Sequence, residues 1–210
     1  MSRTRSRTQT YASLVAGAVA LILTAALVLL PAPAGARPLY YAEEFYLYVM
    51  NLYQENASLE RNIRFMQWAL DAPFANQVNS LATIRTVEDF RRYKALFRMH
   101  VNLLIIDSYL QLARRYDKRQ VYFFHAFWFA EELVESFAIA GYYYRICLNY
   151  WEQVLEHAEA AAREPARIDI ESWEEELHLI RTGELDYAAV VQRHLARLEE
   201  RVREAERFLE

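Results

Sequence analysis

The chain has 210 residues, with 24 Lys and Arg against 28 Asp and Glu, four glycines and a single cysteine. An acidic chain without a basic stripe excludes nucleic acid and anionic lipid as partners drawn by charge, and one cysteine excludes a disulfide framework within the chain. So few glycines leave no phosphate-cradling loop, dinucleotide fingerprint or G-x-S-x-G nucleophile elbow.

The first residues, MSRTRSRTQTYAS, carry three arginines and no acid, and residues 14–30 are an unbroken apolar run. That is the layout of an export signal. Pro31 and Pro33 follow, and Ala34 and Ala36 satisfy the small-residue rule for cleavage before Arg37. The expectation is a cleaved leader over 1–36 and an exported chain, periplasmic or extracellular. The alternative is a membrane anchor through residues 14–30, because 17 apolar residues lie just under the ~18 needed to span a bilayer. No cysteine sits near the junction, which excludes a lipoprotein anchor. Cleavage leaves 174 residues carrying all 28 acids and 21 of the 24 bases, a net charge of −7. These divide by composition into an aromatic-rich helical core domain, 37–164, and a charged C-terminal extension, 165–210.

Prolines are rare and no short alternating segments bounded by turn residues occur, so the mature chain reads as all-α. A first helix is expected over 39–71, with Phe45, Val49, Leu52, Leu59, Ile63, Met66 and Leu70 in a coiled-coil-like seam that Asn56 interrupts. Asn56, Ala57 and Ser58 also spell a glycosylation sequon. A second helix begins at Thr86 as N-cap, with Asp89 completing a capping box, and runs to Tyr116. Its wide apolar face, including Phe90, Tyr93, Phe97, Val101, Ile105 and Leu112, makes it the central element.

After a polar turn at 117–120, the stretch VYFFHAFWFAEEL is apolar almost all the way round and predicts an enclosed third helix to Glu135. A turn or kink is expected over 136–141. A fourth helix then continues to just before Pro165. A short helix capped by Ser172 and Glu175, a turn at Thr182 and Gly183, and a last helix from Asp186 complete the chain. In that last helix Val191, Leu195, Leu198, Val202, Ala205 and Leu209 keep heptad spacing on a polar body. The expected pair of C-terminal helices is docked on the bundle or projects from it.

The histidines are His100, His125, His157, His178 and His194. Carboxylate-bridged di-iron bundles need two Glu-x-x-His motifs on different helices, and this chain has one, Glu175 to His178. His125 and Glu132 share a helix face at i and i+7, and aromatic packing accounts for His125. Cys147 reads as a small buried apolar residue. Glu131/Glu132 and Glu174/Glu175/Glu176 read as solvated faces. No catalytic residue, metal or cofactor is expected, and the chain does not read as an enzyme.

The aromatics exceed what one helix face can hide: Tyr40, Tyr41, Phe45, Tyr46, Tyr48 and Tyr53 on the first helix, and Tyr142, Tyr143, Tyr144, Tyr150 and Trp151 on the fourth. Tyrosine is amphipathic and enriched at interfaces. Partner binding is therefore expected at Tyr40, Tyr41, Tyr48, Tyr143, Tyr144 and Trp151, and at Leu195, Leu198 and Val202 on the last helix. The expected partner is another envelope protein, and the heptad seams also suit a homo-oligomer. The rival reading is a bundle carrier enclosing an apolar small molecule or lipid beside Phe124, Phe127, Trp128 and Tyr144.

In the segment ESFAIAGYYYRICLNYWEQVLEHA, Phe137, Ala140, Tyr144, Cys147 and Leu148 fall where the second helix of a tetratricopeptide repeat places aromatic, small, aromatic, small and leucine residues. The segment resembles that TPR helix, while Trp128 and Glu131 depart from the pattern of the helix before it and no 34-residue recurrence follows. The resemblance implies a helix-hairpin array with a scaffold or peptide-binding role. The segment RMHVNLLIIDSYLQLARRYDKRQVYFFHAFWFAEEL is also similar to exported helical proteins of spirochaetes, including those assembled around periplasmic flagella. That likeness implies a flagellar-motor-associated periplasmic assembly as the setting.

Overall fold

The computed structural model describes residues 38–52, 58–117 and 129–209. The expected leader over 1–36, Tyr53, Asn56 and Ala57 of the sequon, and Phe124, His125, Phe127 and Trp128 lie outside the described residues. Beyond a short N-terminal unit, Met1–Pro38, the chain from Leu39 onward is one compact unit. Among the described residues it is an all-α bundle with six α-helices: α1 (Ala42–Leu52), α2 (Leu59–Asp71), α3 (Val87–Tyr116), α4 (Ala130–Arg163), α5 (Glu171–Thr182) and α6 (Tyr187–Glu206).

The first long helix is instead two. A single helix over 39–71 would hold Ala42 and Pro73 about 46 Å apart at 1.5 Å per residue, yet the Ala42 N–H donates to the Pro73 carbonyl at 3.0 Å. The chain folds back as an antiparallel hairpin, α1 against α2. Ser58 is the reason α2 begins afresh: its hydroxyl caps the helix by accepting from the Arg61 N–H, the service that a serine at this position performs best. The buried Glu43 then locks the hairpin, accepting from the Ala75 N–H at 2.9 Å and from the Tyr93 hydroxyl at 3.1 Å.

Helix α3 is the central element. Its capping box forms as the residues dictate, with Asp89 N–H on Thr86 Oγ1 at 3.0 Å and Thr86 N–H on Asp89 Oδ2 at 2.9 Å. Sixteen of its thirty residues are buried, because α1, α2, α4 and α5 all pack around it. Helix α4 runs antiparallel to it: Ser136 Oγ donates to the Tyr116 carbonyl, Cys147 lies beside Ile106, and Arg92 donates to the Ala161 carbonyl.

The turn expected over 136–141 is absent. Helix α4 is continuous for 34 residues from Ala130 to Arg163, so the helix pair that the TPR resemblance implies has no turn at that point. Gly141 does not break it, because the missing side chain serves packing: a Cβ there would meet Leu198 Cδ2 of α6 at 3.2 Å.

The helices of the segment 165–209 are part of the same core. Trp173 and Leu177 of α5, and Val191 and Leu198 of α6, belong to the one hydrophobic cluster, so the C-terminal helices are docked and do not project. Helix α5 starts at Glu171 with Ile170 at the N-cap position and no side-chain cap. The expected cap, Ser172, lies inside the first turn, and Glu174 instead ties down the approach to the helix: its Oε1 accepts from the Ile168 N–H and from Arg92. The α5–α6 turn follows the sequence reading, with Gly183 in the left-handed region at φ 77° and Asp186 capping α6 through the Ala189 N–H.

Candidate interaction surfaces

The heptad seam of α6 divides by depth. Val191, Leu198 and Ala205, seven residues apart, are buried against α4. Leu195 and Val202, between them, are half-buried and form one wall of an open groove of about 410 Å3. Its floor is Phe137, Gly141 and Leu198, Ala138 lies on the α4 side, and Arg145, Glu199 and Arg203 supply the charged rim. The close approach that Gly141 permits brings both helices' apolar residues to one floor.

A second surface lies on the outside of the hairpin. Phe45, Tyr48, Phe65 and Trp68 form a chain of ring contacts, Tyr48 to Phe65 at 4.6 Å, Phe65 to Trp68 at 5.0 Å and Phe45 to Trp68 at 6.0 Å. Trp68 is 45% exposed and Tyr48 37%, with Tyr40 and Tyr41 also exposed beside the start of α1. Of these, Phe45, Phe65 and Trp68 are not among the expected partner-binding residues. The fold-back that brings α2 alongside α1 is what assembles them, and the signal available in the sequence was the i, i+3 spacing of Phe65 and Trp68.

The tyrosines of α4 behave differently. Tyr144 is fully buried and stacks on His194 at 4.8 Å, and Trp151 is 6% exposed, edge-on to Tyr187. Neither presents a surface to a partner, because α6 covers that face of α4. Tyr143 is half-buried in a ladder that interleaves two antiparallel i, i+7 pairs, Tyr116 and Tyr109 of α3 with Tyr143 and Tyr150 of α4, each step 5.9 Å. Burial, then the neighbouring Tyr150 and Tyr142, pushes the Tyr109 phenol up to about 12.

Residues far apart in sequence also meet where no spacing announced them. Tyr46 Oη lies 3.2 Å from His100 Nε2, and His100 Nδ1 lies 2.8 Å from Glu176 Oε2, with the Trp173 ring stacked on the imidazole at 5.1 Å. Burial and the Glu176 charge raise the Tyr46 phenol above its ordinary value, although a Trp173 hydrogen bond opposes them. The phenol therefore stays protonated at neutral pH, and the cluster serves to tie α1, α3 and α5 together. Cys147 is fully buried and burial pushes its thiol up to about 12, the state of a packed side chain.

Glu175 and His178 lie exposed on the rim of a charged cleft of about 480 Å3 with Arg92, Arg167 and Arg181. Among the described residues, no group of three or more His, Cys, Asp or Glu converges as metal ligands do. No helix among them is long and apolar enough to cross a membrane.

No curated protein and no solved structure matches the chain. A family model does, over residues 88–208, which takes in α3 through α6 and leaves out the hairpin. With more than half its length so matched, the chain belongs to the family described as Domain of unknown function (DUF8513).

Proposed function

We propose that this protein is a non-catalytic interaction module of the cell envelope, an exported bundle that holds another envelope protein against its α4–α6 face. The groove between α4 and α6 carries the reading. Its apolar floor and charged rim are the chemistry of a site that takes the apolar stripe of a partner helix. Leu195 and Val202 stand seven residues apart, about 10 Å along the helix axis, which suits apolar residues two turns apart on such a stripe. A periplasmic assembly of the kind built around flagella is the setting that the spirochaete resemblance implies.

The test is a crosslinking pull-down from native envelope with wild type, Leu195→Asp and Ala138→Trp. Ala138 is exposed, so a tryptophan there fills the groove without entering the core. A specific partner whose affinity drops at least about tenfold, or 1.4 kcal/mol, in both variants supports the reading. A partner retained by both, with the helical circular dichroism of both unchanged, removes the groove from consideration.

A further inference from the structure

We propose that the outer face of the α1–α2 hairpin rests on the lipid–water boundary of a bilayer, with the rings of Tyr48, Phe65 and Trp68 at headgroup level. The surface is distinct from the α4–α6 groove. Its chemistry is that of an interfacial belt, in which tryptophan and tyrosine place an apolar body toward the acyl chains and a polar tip toward water. Arg61 and Arg64 are exposed on the same helix, four residues before Phe65 and Trp68 respectively. At that spacing they share a face with the rings, and their long stems let the charge reach outward while the chain lies along the apolar surface.

Chain length supplies the occupant. The apolar run ends at Leu30 and α1 begins at Ala42. The eleven residues between cannot span more than about 40 Å, so if the run stays in a membrane the hairpin is tethered within reach of that same bilayer. This inference rests on the envelope reading and on residues 14–30 remaining as an anchor. Helices α1 and α2 hold Glu43, Glu44, Glu60 and Asp71 against Arg61 and Arg64, so the contact is apolar in origin and does not depend on anionic lipid.

The experiment reconstitutes the full chain in phosphatidylcholine vesicles and follows the emission of Trp68, taken as wild type minus Trp68→Phe. Flotation first establishes that the chain is held by the vesicles. The expected result is quenching of the Trp68 component by lipids brominated near the headgroup, insensitive to added salt and lost in a Tyr48→Ser/Phe65→Ser variant. A Trp68 component reached by aqueous acrylamide but not by the bromolipids overturns the proposal, with anchoring intact. Shielding from both quenchers that dilution removes also overturns it, since a second copy of the chain then covers the face. Failure to float overturns anchoring and the proposal together, while the pull-down of the groove variants remains a separate result.

Discussion

Arg92 makes four hydrogen bonds at the junction of three helices. Its guanidinium donates to Glu174 through Nε at 2.9 Å and Nη2 at 2.5 Å, and Nη1 reaches the carbonyls of Ala161 and Glu164. One residue of α3 thereby satisfies the C-terminal end of α4 and the first turn of α5. Removing it as Arg92→Met leaves a buried carboxylate and orphaned carbonyls, for which a loss of about 3–5 kcal/mol is expected, read as the shift in urea midpoint. The same pair sets an acid limit. Burial raises the Glu174 carboxyl, but the Arg92 bonds, the Ile168 N–H and the charges of Arg92 and Arg167 outweigh it and hold the group below its ordinary 4.5. A folded value below the unfolded one contributes stability that is complete above about pH 4.5 and disappears as pH falls through the folded value. Glu174→Gln should therefore show a flatter stability curve than wild type below pH 5, and parallel curves there would assign the acid sensitivity to other groups. Asn102 offers a contrary case: it is fully buried, and Nδ2 donates to the Arg98 carbonyl while Oδ1 has no partner among the described residues. Since an unmet buried acceptor costs free energy, Asn102→Leu should leave stability unchanged or raise it by up to about 1 kcal/mol. A clear loss in thermal melting would show that Oδ1 is satisfied in solution.

At the scale of the helices, two glycines make opposite predictions. Gly183 ends α5 in the left-handed region with open space around its Cβ direction, so Gly183→Ala meets no neighbour and is expected to cost only the conformational 1 kcal/mol or so. Gly141 lies mid-helix, where alanine gains about 1 kcal/mol of propensity. The contact at 3.2 Å is with a terminal methyl of Leu198 beside the groove, which has room to yield. Gly141→Ala should thus be neutral or mildly stabilising, whereas Gly141→Leu should push α6 off α4 and lower the melting temperature. The same elements show what a sequence discloses. The Thr86 box, the Gly183 turn and the Asp186 cap were legible because each depends on residues within four positions of one another. The hairpin was not, since the heptad spacing of Val49, Leu59, Ile63 and Met66, all buried, continues across the break, and both halves turn that seam inward. The spacing records which residues face inward, not whether one helix or two present them. Likewise the tyrosines of α4 announced an excess of aromatic surface, but which of them α6 would cover depended on a crossing near Gly141 that no local pattern marks.

For the whole molecule, the question is whether α6 is a detachable arm or part of the fold, since a partner-binding helix could be either. Val191, Leu198 and Ala205 are buried, Tyr187 packs edge-on to Trp151, His194 stacks on Tyr144, and Arg201 pairs with Asp117 at the far end of α3. These contacts extend along the length of α6 and cover a face of α4 that includes Phe137, Ala140 and Tyr144, all fully buried. Stopping the chain before Asp186 uncovers that face and leaves a shortened core of residues that cannot close over it. The expected outcome is the loss of a single cooperative transition in chemical denaturation, with dye binding typical of exposed apolar surface. A partner lost on that truncation would therefore carry no information about where the partner sits. Leu195→Asp separates the two effects: its side chain lies half-exposed in the groove wall, so the cooperative transition should persist within about 1 kcal/mol of wild type while the partner is released. Cooperative unfolding of the truncated chain near the wild-type midpoint would instead make α6 an independent arm and move the binding question from a groove in the bundle to the helix alone.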